Sequence, residues 1–318
     1  MNKLGVLTSG GDAPGMNAAI RAVVKAANHY HLDIMGIQCG YQGLIDGKIH
    51  RLTASEVEDI ADRGGTILKT SRSSEFMEEA GREKALTVLK SFGINSLVVI
   101  GGEGSLKGAE KLHELGIKVI GIPGTIDNDL AYTDYSIGFD TTLNTVLDCV
   151  GKIKDTDFSH DKTTIIEVMG RYCGDLALYS ALAGGGDIIS TPERKLDFDT
   201  ICSKLSSRIS SGKNDNLVII TERMYDLQEL QRYIEEKLNI SVRTTVLGFI
   251  QRGGNPSAFD RVLASRMGAK AVELLMNGSS GQAVGMKENK IIHRELEHVN
   301  SEMADKQNQY RLLETLLH

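Results

Sequence analysis

Three short segments in the first half of the chain combine glycines with acidic side chains, and each follows an apolar run. Carboxylates bind metal ions or accept a proton from a hydroxyl group, and glycine lets main-chain N–H groups approach a phosphate. These residue types together indicate chemistry on a phosphorylated substrate. The segments are residues 9–15 (SGGDAPG), 101–105 (GGEGS) and 123–129 (PGTIDND).

The first segment has the composition of a phosphate-binding turn. Gly10 and Gly11 lack a Cβ, so their main chain can lie close to an anion. Asp12 suits a helix N-cap and Pro14 suits the first helical turn, and a helix N-terminus favours an anion. The spacing matches neither a Walker A loop nor the dinucleotide-binding GxGxxG pattern. Taken alone, the segment is equally compatible with a tight turn that binds no ligand.

The second and third segments carry the acids with the clearest chemical use. Glu103 lies among three glycines, which leave room for a triphosphate and its Mg²⁺. Asp127 and Asp129 suit a general base and a second acid that orients the hydroxyl group or binds metal. Each acid also has a plainer explanation, because Glu103 can be a solvated side chain in a turn and Asp is a common turn former. For residues 127–129 alone, turn formation is the stronger explanation.

Arginines next to glycine or serine supply the complementary charge. Arg72, Arg171 and Arg252 suit the clamping of phosphates, although any one of them alone is more often a solvated surface side chain. Glu222 ends an apolar run and suits either a sugar hydroxyl or a helix cap. Donor-phosphate glycines, a metal carboxylate, a base and arginines are the parts of a phosphoryl-transfer site. The residue types alone therefore indicate a Mg-nucleotide kinase or a related phosphotransferase.

The elements that must position these residues alternate between short apolar strands and helices. Val/Ile-rich strands separated by helices favour a parallel sheet with both faces covered. The carboxyl ends of parallel strands share one edge, so we expect the three segments to meet there. The predicted strands are 4–8, 34–38, 96–100, 118–122, 164–168, 217–221 and 244–247. The predicted helices are 14–29, 78–92, 105–115, 141–154, 200–211 and 258–276.

Composition restricts the class of protein. The chain has 318 residues, 41% of them hydrophobic and 25% charged, which excludes a disordered or fibrous protein and favours two domains. A net charge of −6 disfavours non-specific binding of nucleic acid, and no apolar run is long enough for a membrane span. Four widely spaced cysteines without a CxxC pair indicate reduced thiols in a cytoplasmic protein. The polar stretch 300–309 is predicted to be a surface connection.

The chain resembles the bacterial ATP-dependent 6-phosphofructokinase family over essentially its whole length. The matching stretches are residues 5–19, 98–102, 123–129, 167–174, 251–254 and 260–266. The resemblance implies a homotetramer of subunits with two doubly wound parallel-sheet α/β domains. It places an ATP-binding domain at 1–138 plus about 251–301, and a sugar-phosphate-binding domain at 139–250 plus about 302–318. The implied glycolytic reaction transfers the γ-phosphoryl group of MgATP to the 1-hydroxyl of fructose 6-phosphate.

The resemblance also assigns roles to individual residues. Asp127 is the implied general base, assisted by Asp129 and Thr125, and Arg171 is implied to stabilise the migrating phosphoryl group. The residues implied to bind ATP are Gly11, Arg72, Ser73, Gly102, Glu103, Gly104 and Ser105, with Glu103 holding Mg²⁺. The residues implied to bind the sugar phosphate are Thr125, Ile126, Asp127, Lys162, Met169, Gly170, Arg171, Glu222, Arg243, Phe249 and Arg252, of which Lys162 and Arg243 reach it from a neighbouring subunit. Small residues at Gly104 and Gly124 resemble the ATP-using branch rather than the pyrophosphate-using one.

Several positions depart from the family pattern. The metal carboxylate is usually Asp rather than Glu103, and a misplacement near 1 Å costs on the order of 10²-fold in rate. Lys162 replaces an Arg, so the bidentate contact that a guanidinium group makes with a phosphate is lost. Phe249 replaces a His that can donate a hydrogen bond. Ser73 and Ser74 replace an aromatic–Pro pair beside the adenine. These departures leave two alternatives open, a catalytically weakened paralogue acting as a regulatory subunit and a kinase for a different sugar phosphate.

The resemblance implies an effector site for ADP or phosphoenolpyruvate between subunits. Five residues match its charges, namely Arg21, Lys25, Lys154, Asp187 and Lys213. Ala54 and Ser211 replace residues that are commonly basic in the family, so we expect reduced regulation by these effectors.

Overall fold

The computed structural model describes residues 3–299 and 306–317, whose strands form two separate sheets. In chain order the strands are β1 Lys3–Thr8, β2 Asp33–Ile37, β3 Ile49–Arg51, β4 Ser96–Gly101, β5 Lys118–Pro123, β6 Thr163–Val168, β7 Ile188–Ser190, β8 Asn216–Thr221, β9 Val242–Val246, β10 Gln282–Lys287 and β11 Lys290–Glu295. The α-helices are α1 Met16–His29, α2 Gly40–Ile45, α3 Glu79–Ser91, α4 Glu103–Glu114, α5 Phe139–His160, α6 Asp175–Gly184, α7 Phe198–Ser210, α8 Leu227–Leu238, α9 Ala258–Met276 and α10 Gln307–Leu317. Single 3-10 turns occupy Glu75–Met77, Gly248–Arg252 and Leu296–His298.

The described residues divide into two compact units. The first contains residues 3–126, 130–141 and 252–299, and the second contains residues 127–129, 142–251 and 306–317. Each unit is therefore assembled from separated parts of the chain. No helix among the described residues is long and apolar enough to cross a membrane.

The sheet of the first unit has the order β11-β10-β5-β4-β1-β2-β3. Its five inner strands are parallel, and β3 and β11 add antiparallel edges. Strands β4 and β5 are buried along almost their whole length, which explains their continuous apolar sequence. The second unit has a four-stranded parallel sheet, β7-β8-β6-β9, with its own apolar core. The predicted doubly wound α/β class is confirmed, and the antiparallel edges were not predicted.

The register of the inner strands fixes where the glycine-rich segments lie. Thr8 pairs with Ile100, and Gly101 pairs with Pro123, so β1, β4 and β5 end together. The chain that follows each strand therefore leaves the sheet at one edge, as the parallel pattern predicted.

Three local predictions were wrong. Helix α1 begins at Met16, and its N-cap is Gly15 with φ +103°, so Asp12 and Pro14 precede the helix instead of starting it. Helix α4 begins at Glu103, which puts this acid in the first helical turn. Of the predicted surface connection 300–309, residues 300–305 lie outside the described residues. The remainder begins α10 and includes the mostly buried side chain of Lys306.

One buried carboxylate joins the start of α5 to α9 within the first unit. Asp260 accepts hydrogen bonds from the main-chain N–H groups of Gly138 and Thr141 at 2.9 and 2.8 Å, and from the Thr141 hydroxyl. The side chain is fully buried. Burial raises the pKa of Asp260 to about 6, because the loss of hydration outweighs the hydrogen bonds that favour the ionised form.

The raised pKa of Asp260 predicts a stability that depends on pH. The pKa of Asp260 is higher in the folded state than in the unfolded state. Its contribution to the free energy of unfolding is therefore greatest below about pH 4 and falls as the pH rises through 6. Relative to an Asp260→Asn control, which does not ionise, the wild-type free energy of unfolding should fall by about 1 kcal/mol between pH 5 and pH 7.5. Denaturant unfolding of both proteins measures this, and a difference that stays constant with pH contradicts it.

Candidate active site

In the first unit, the segment after β1 is held by contacts on both sides. Ser9 N–H donates to the Ile100 carbonyl at 3.0 Å, and the Thr70 hydroxyl donates to the Gly10 carbonyl at 2.8 Å. Gly10 has φ +85°, a conformation that glycine adopts without strain. The turn therefore has a fixed shape, and its main chain is not covered by its own side chains.

Arg252 lies against this turn. A Cβ on Gly11 would be 3.6 Å from the Arg252 guanidinium group, and Arg252 Nη1 lies 3.9 Å from Asp12 Oδ1. The side chain of Arg252 is mostly buried. The structure thus brings a fixed positive charge to the glycine turn, where an anionic ligand would be attracted.

Glu103, the predicted metal carboxylate, lies at the start of α4 with Gly102 at the N-cap. Its Oε1 is 2.6 Å from Lys107 Nζ, one helical turn later, and both side chains are about half exposed. Exposed ion pairs of this kind contribute about 0.2–1 kcal/mol, so the carboxylate can exchange Lys107 for another cation.

The described residues contain no group of three His, Cys, Asp or Glu side chains arranged to hold a metal ion. Mg²⁺ usually keeps waters and takes one or two carboxylates together with substrate phosphates. One accessible carboxylate beside a glycine turn fits this manner of binding, in which the metal arrives with the nucleotide.

Packing requires some of the glycines of the second and third segments but not all of them. A Cβ on Gly101 would lie 2.5 Å from Ser105 Oγ and 2.6 Å from the Ser9 carbonyl, so packing requires glycine there. A Cβ on Gly124 would be in tight contact at 3.2 Å with Ile100. A Cβ on Gly104 would meet no atom within 4 Å. Packing does not explain this helical glycine, which leaves open space beside Glu103.

Arg72 and Ser73 differ in how free their side chains are to meet a ligand. Arg72 is exposed. The Ser73 hydroxyl donates to Gln42 Oε1 at 2.8 Å and accepts from Phe76 N–H at 3.1 Å, so it stabilises the local turn. The Phe76 ring is buried and stacks on Tyr41 with the ring centroids 4.0 Å apart. That ring is therefore unavailable for stacking on a base.

In the second unit, Asp127 and Arg171 form an ion pair. Arg171 Nε lies 3.6 Å from Asp127 Oδ2, and the Asp127 side chain is only 9% exposed. Asp129, two residues later, is exposed. A buried carboxylate beside a partly exposed guanidinium group can accept a proton from a hydroxyl group and stabilise the negative charge that then develops.

The turn after β6 gives Arg171 its direction. Gly170 has φ +132°, and a Cβ there would lie 2.4 Å from the Cys173 carbonyl oxygen, so only glycine fits. Arg171 N–H donates to Glu222 Oε1 at 3.2 Å. The pairing of Val168 with Thr221 places both turns at the same edge of the second sheet. The structure thus brings together Met169, Gly170, Arg171 and Glu222, which the resemblance assigned to one site.

Glu222 also acts on a second acid of this edge. Burial raises the pKa of Glu167 on β6, and the negative charge of Glu222 raises it further. Glu222 itself remains engaged with the Arg171 main chain, so it supports the turn in addition to its predicted contact with sugar hydroxyls.

The remaining sugar-phosphate candidates fall in both units, with Lys162, Arg243 and Phe249 in the second. Lys162 is half-buried, with its N–H bonded to the Asp157 carbonyl at 3.1 Å. Arg243 on β9 and Phe249 in the following 3-10 turn are exposed. In the first unit, Ile126 is buried and the Thr125 carbonyl accepts from the Ser136 hydroxyl at 2.7 Å.

The predicted effector residues fall in both units. In the first, Arg21 lines a cavity of about 600 Å³, and Lys25 forms an ion pair with Glu58 at 3.0 Å. In the second, Lys154 Nζ donates to the carbonyls of residues 184 and 185, which end α6. Asp187 pairs with the Arg208 guanidinium group and accepts from Leu217 N–H, whereas Lys213 is exposed.

Residues that support segment 127–129 were not predicted from the sequence. Asn128 Nδ2 donates to Asp175 Oδ2 at 2.9 Å, and Asp175 Oδ1 pairs with Lys306 Nζ at 2.5 Å. Asp175 directly follows the matching stretch 167–174 and could have been noticed there. Lys306 lies in a polar stretch without any pattern, so the sequence carried no signal for it.

The chain matches the family model described as phosphofructokinase over residues 3–275. It is 55% identical to the ATP-dependent 6-phosphofructokinase of Clostridium acetobutylicum and 54% identical to that of Clostridium botulinum, with 93% of each chain covered. The structure of phosphofructokinase from Saccharomyces cerevisiae matches with a TM-score of 0.90 at 32% identity, over all of this chain and 50% of that one. A pyrophosphate-dependent phosphofructokinase from Marinobacter aquaeolei shares the fold, with a TM-score of 0.85 at 20% identity over all of this chain and 92% of that one. Together with the acid and arginine positions of both units, these matches show that the chain belongs to the phosphofructokinase family.

Proposed function

We propose that this chain is an ATP-dependent 6-phosphofructokinase, which transfers the γ-phosphoryl group of ATP to the 1-hydroxyl of fructose 6-phosphate in glycolysis. The observation that carries the proposal is the buried Asp127 carboxylate paired with Arg171. The similarity to ATP-dependent enzymes over 93% of the chain supports the same reaction.

The Asp127–Arg171 pair explains how the acceptor hydroxyl is activated. Asp127 takes the hydroxyl proton as the oxygen attacks the γ-phosphorus, and the bond from the γ-phosphorus to the bridging oxygen breaks to release ADP. Asp129 and Thr125 orient the acceptor. Arg171 stabilises the charge on the migrating phosphoryl group, and its main chain is held by Glu222. The guanidinium group of Arg171 lies close enough to Asp127 to attract its negative charge.

The nucleotide is bound by the first unit in this proposal. The glycine turn at Gly11 and the start of α4 at Gly102–Ser105 accommodate the phosphates, and Arg72 adds an exposed positive charge. Glu103 holds Mg²⁺, which neutralises phosphate charge when it is bound. The open space at Gly104 leaves room for a phosphate beside Glu103.

The sugar phosphate is bound by residues of more than one subunit in this proposal. Met169, Gly170 and Glu222 contact the sugar, and Arg252 contributes positive charge. Lys162 and Arg243 bind the 6-phosphate of a neighbouring subunit's substrate in a cytoplasmic homotetramer. Arg243 is exposed and Lys162 is half-buried, so both side chains reach the surface, which supports this arrangement.

A second candidate function is a weakened paralogue that acts as a regulatory subunit. The observation that favours it is the Glu103–Lys107 pair, because Lys107 competes with Mg²⁺ for a carboxylate whose side chain is already longer than the usual Asp. A kinase for another sugar phosphate is the remaining alternative, and a substrate panel distinguishes it from the first proposal.

The proposed function is tested by measuring the turnover of fructose 6-phosphate with MgATP in the wild-type protein and in a Glu103→Asp variant. An active enzyme should turn over at about 1–100 per second. A nearly silent wild type whose Glu103→Asp variant gains about a hundredfold favours the regulatory paralogue, since only the metal carboxylate is then misplaced. Silence of both proteins with every sugar phosphate in the panel rejects the kinase proposals.

Replacement of the general base should abolish most turnover. We expect Asp127→Asn to lower kcat by about 10²–10⁴-fold with a small change in KM, because the amide cannot accept the hydroxyl proton. Asp148→Asn, which alters an exposed acid paired with Lys152, is the matched control and should keep wild-type kcat. Steady-state kinetics measure both, and an Asp127→Asn enzyme with unchanged kcat assigns the base elsewhere.

The open space at Gly104 predicts how the donor is selected. Gly104→Asp should raise the KM for ATP about tenfold or more, because the new carboxylate repels the phosphates in the space they occupy. Gly104→Ala should change it less than about twofold, and should stabilise α4 by about 0.5–1 kcal/mol. Equal KM values for ATP in both variants would show that no phosphate lies near residue 104.

A further inference from the structure

Lys306, just before α10, has an ammonium group with two carboxylates and a thiol around it, all in the second unit. Its Nζ lies 2.5 Å from Asp175 Oδ1, 3.0 Å from Cys173 Sγ and 3.7 Å from Glu193 Oε1. The Lys306 side chain is only 14% exposed, and that of Asp175 only 4%. A buried charge with this many partners has a defined position, unlike a surface lysine.

Lys306 stays charged in this setting. Burial alone lowers its pKa, but the negative charge of Asp175 and the hydrogen bonds to Asp175 and Cys173 outweigh burial and raise the pKa above its ordinary value. Burial raises the pKa of the Cys173 thiol to about 12, so Cys173 remains a neutral neighbour. The ion pair that holds the group together is therefore Lys306 with Asp175.

The second carboxylate oxygen of Asp175, which does not pair with Lys306, contacts the segment formed by residues 127–129. Asp175 Oδ2 accepts from Asn128 Nδ2 at 2.9 Å, and Cys173 Sγ lies 3.8 Å from the Asn128 carbonyl oxygen. Asn128 stands between the two acids of the segment and has φ +53°. Its side chain and its carbonyl thus both contact residues that also contact Lys306.

Helix α10 has a second attachment that does not involve Lys306. The Tyr310 hydroxyl is hydrogen-bonded to Thr191 Oγ1, and the Arg194 guanidinium group lies 4.1 Å above the Tyr310 ring. Arg194 also pairs with Glu314 at 2.6 Å. Because these contacts dock the helix independently, removing the Lys306 charge need not undock it.

We propose that Lys306 is a positioning residue for phosphoryl transfer. Its charge fixes Asp175, Asp175 fixes Asn128, and Asn128 fixes the directions of Asp127 and Asp129. The inference rests on the proposed function, because it assigns these acids to the transfer step. Since a misplacement of about 1 Å costs on the order of 10²-fold in rate, the loss of this link should reduce kcat more than it weakens nucleotide binding.

Lys306→Met, compared with the matched control Glu314→Gln, tests the proposal in the full-length protein. We expect Lys306→Met to lower kcat about 10–100-fold with the KM for ATP changed less than about twofold. Glu314→Gln removes only the surface ion pair of the same helix and should keep the wild-type kcat. Wild-type kcat in Lys306→Met overturns the proposal, as does an equal loss in both variants, which would indicate a role in docking the helix.

Two further measurements do not depend on Lys306→Met being active. Asn128→Gly removes the contact with Asp175, and glycine tolerates the positive φ at this position. Because Asn128→Gly and Lys306→Met break the same link, the two losses in kcat should not multiply in the double variant. Amide hydrogen exchange at residues 127–129, measured without substrates, should be faster in Lys306→Met and in Asn128→Gly but not in Glu314→Gln. Multiplying losses or unchanged exchange overturns the proposal. A wild-type protein without fructose 6-phosphate kinase activity instead rejects the proposed function, whereas the exchange measurement still tests the link.

Discussion

The common end point of three parallel strands is the constraint on which the nucleotide side of this protein depends. Thr8, Gly101 and Pro123 end neighbouring strands within one residue of the same register, so the main chain after each one emerges at the same edge. A shift of one residue in this register would reverse the faces of an entire buried strand, which the apolar core does not allow. The core therefore sets where the glycine turn and the start of α4 leave the sheet, and the contacts from Ile100 and Thr70 then fix the shape of the turn.

The second unit uses a similar edge for a different purpose. There the turns after β6 and β8 are joined through the Arg171 main chain and Glu222, and the ionic groups are buried more deeply than Glu103. Exposed acids exchange partners readily, whereas buried ones hold a single geometry. This difference suits the proposed roles, a metal-bound donor that enters and leaves at Glu103 and a base at Asp127 that keeps one direction.

The parallel α/β class and most central strands were predictable because buried Val/Ile runs and glycine turns are local signals. The antiparallel edges β3 and β11 were not, since short, partly exposed strands resemble loops in the sequence. At the site, the parallel pattern predicted that the acids at 103, 127 and 129 follow the ends of strands, whereas their roles came from the family resemblance and stay predictions. The Lys107 partner of Glu103 and the Lys306 partner of Asp175 were not, because ion pairs depend on rotamers and on contacts distant in sequence.

The position of β10 has a consequence for the synthesis of the chain. This strand completes the inner sheet of the first unit by pairing with β5, yet about 160 residues separate the two in the sequence. At about 5–20 residues per second, a ribosome takes roughly 8–30 seconds to supply it. During that interval β5 would present an unpaired edge, which other chains can join. A nascent chain would thus depend on temporary cover of this edge, by a chaperone or by its own intervening segments, until β10 has been synthesised.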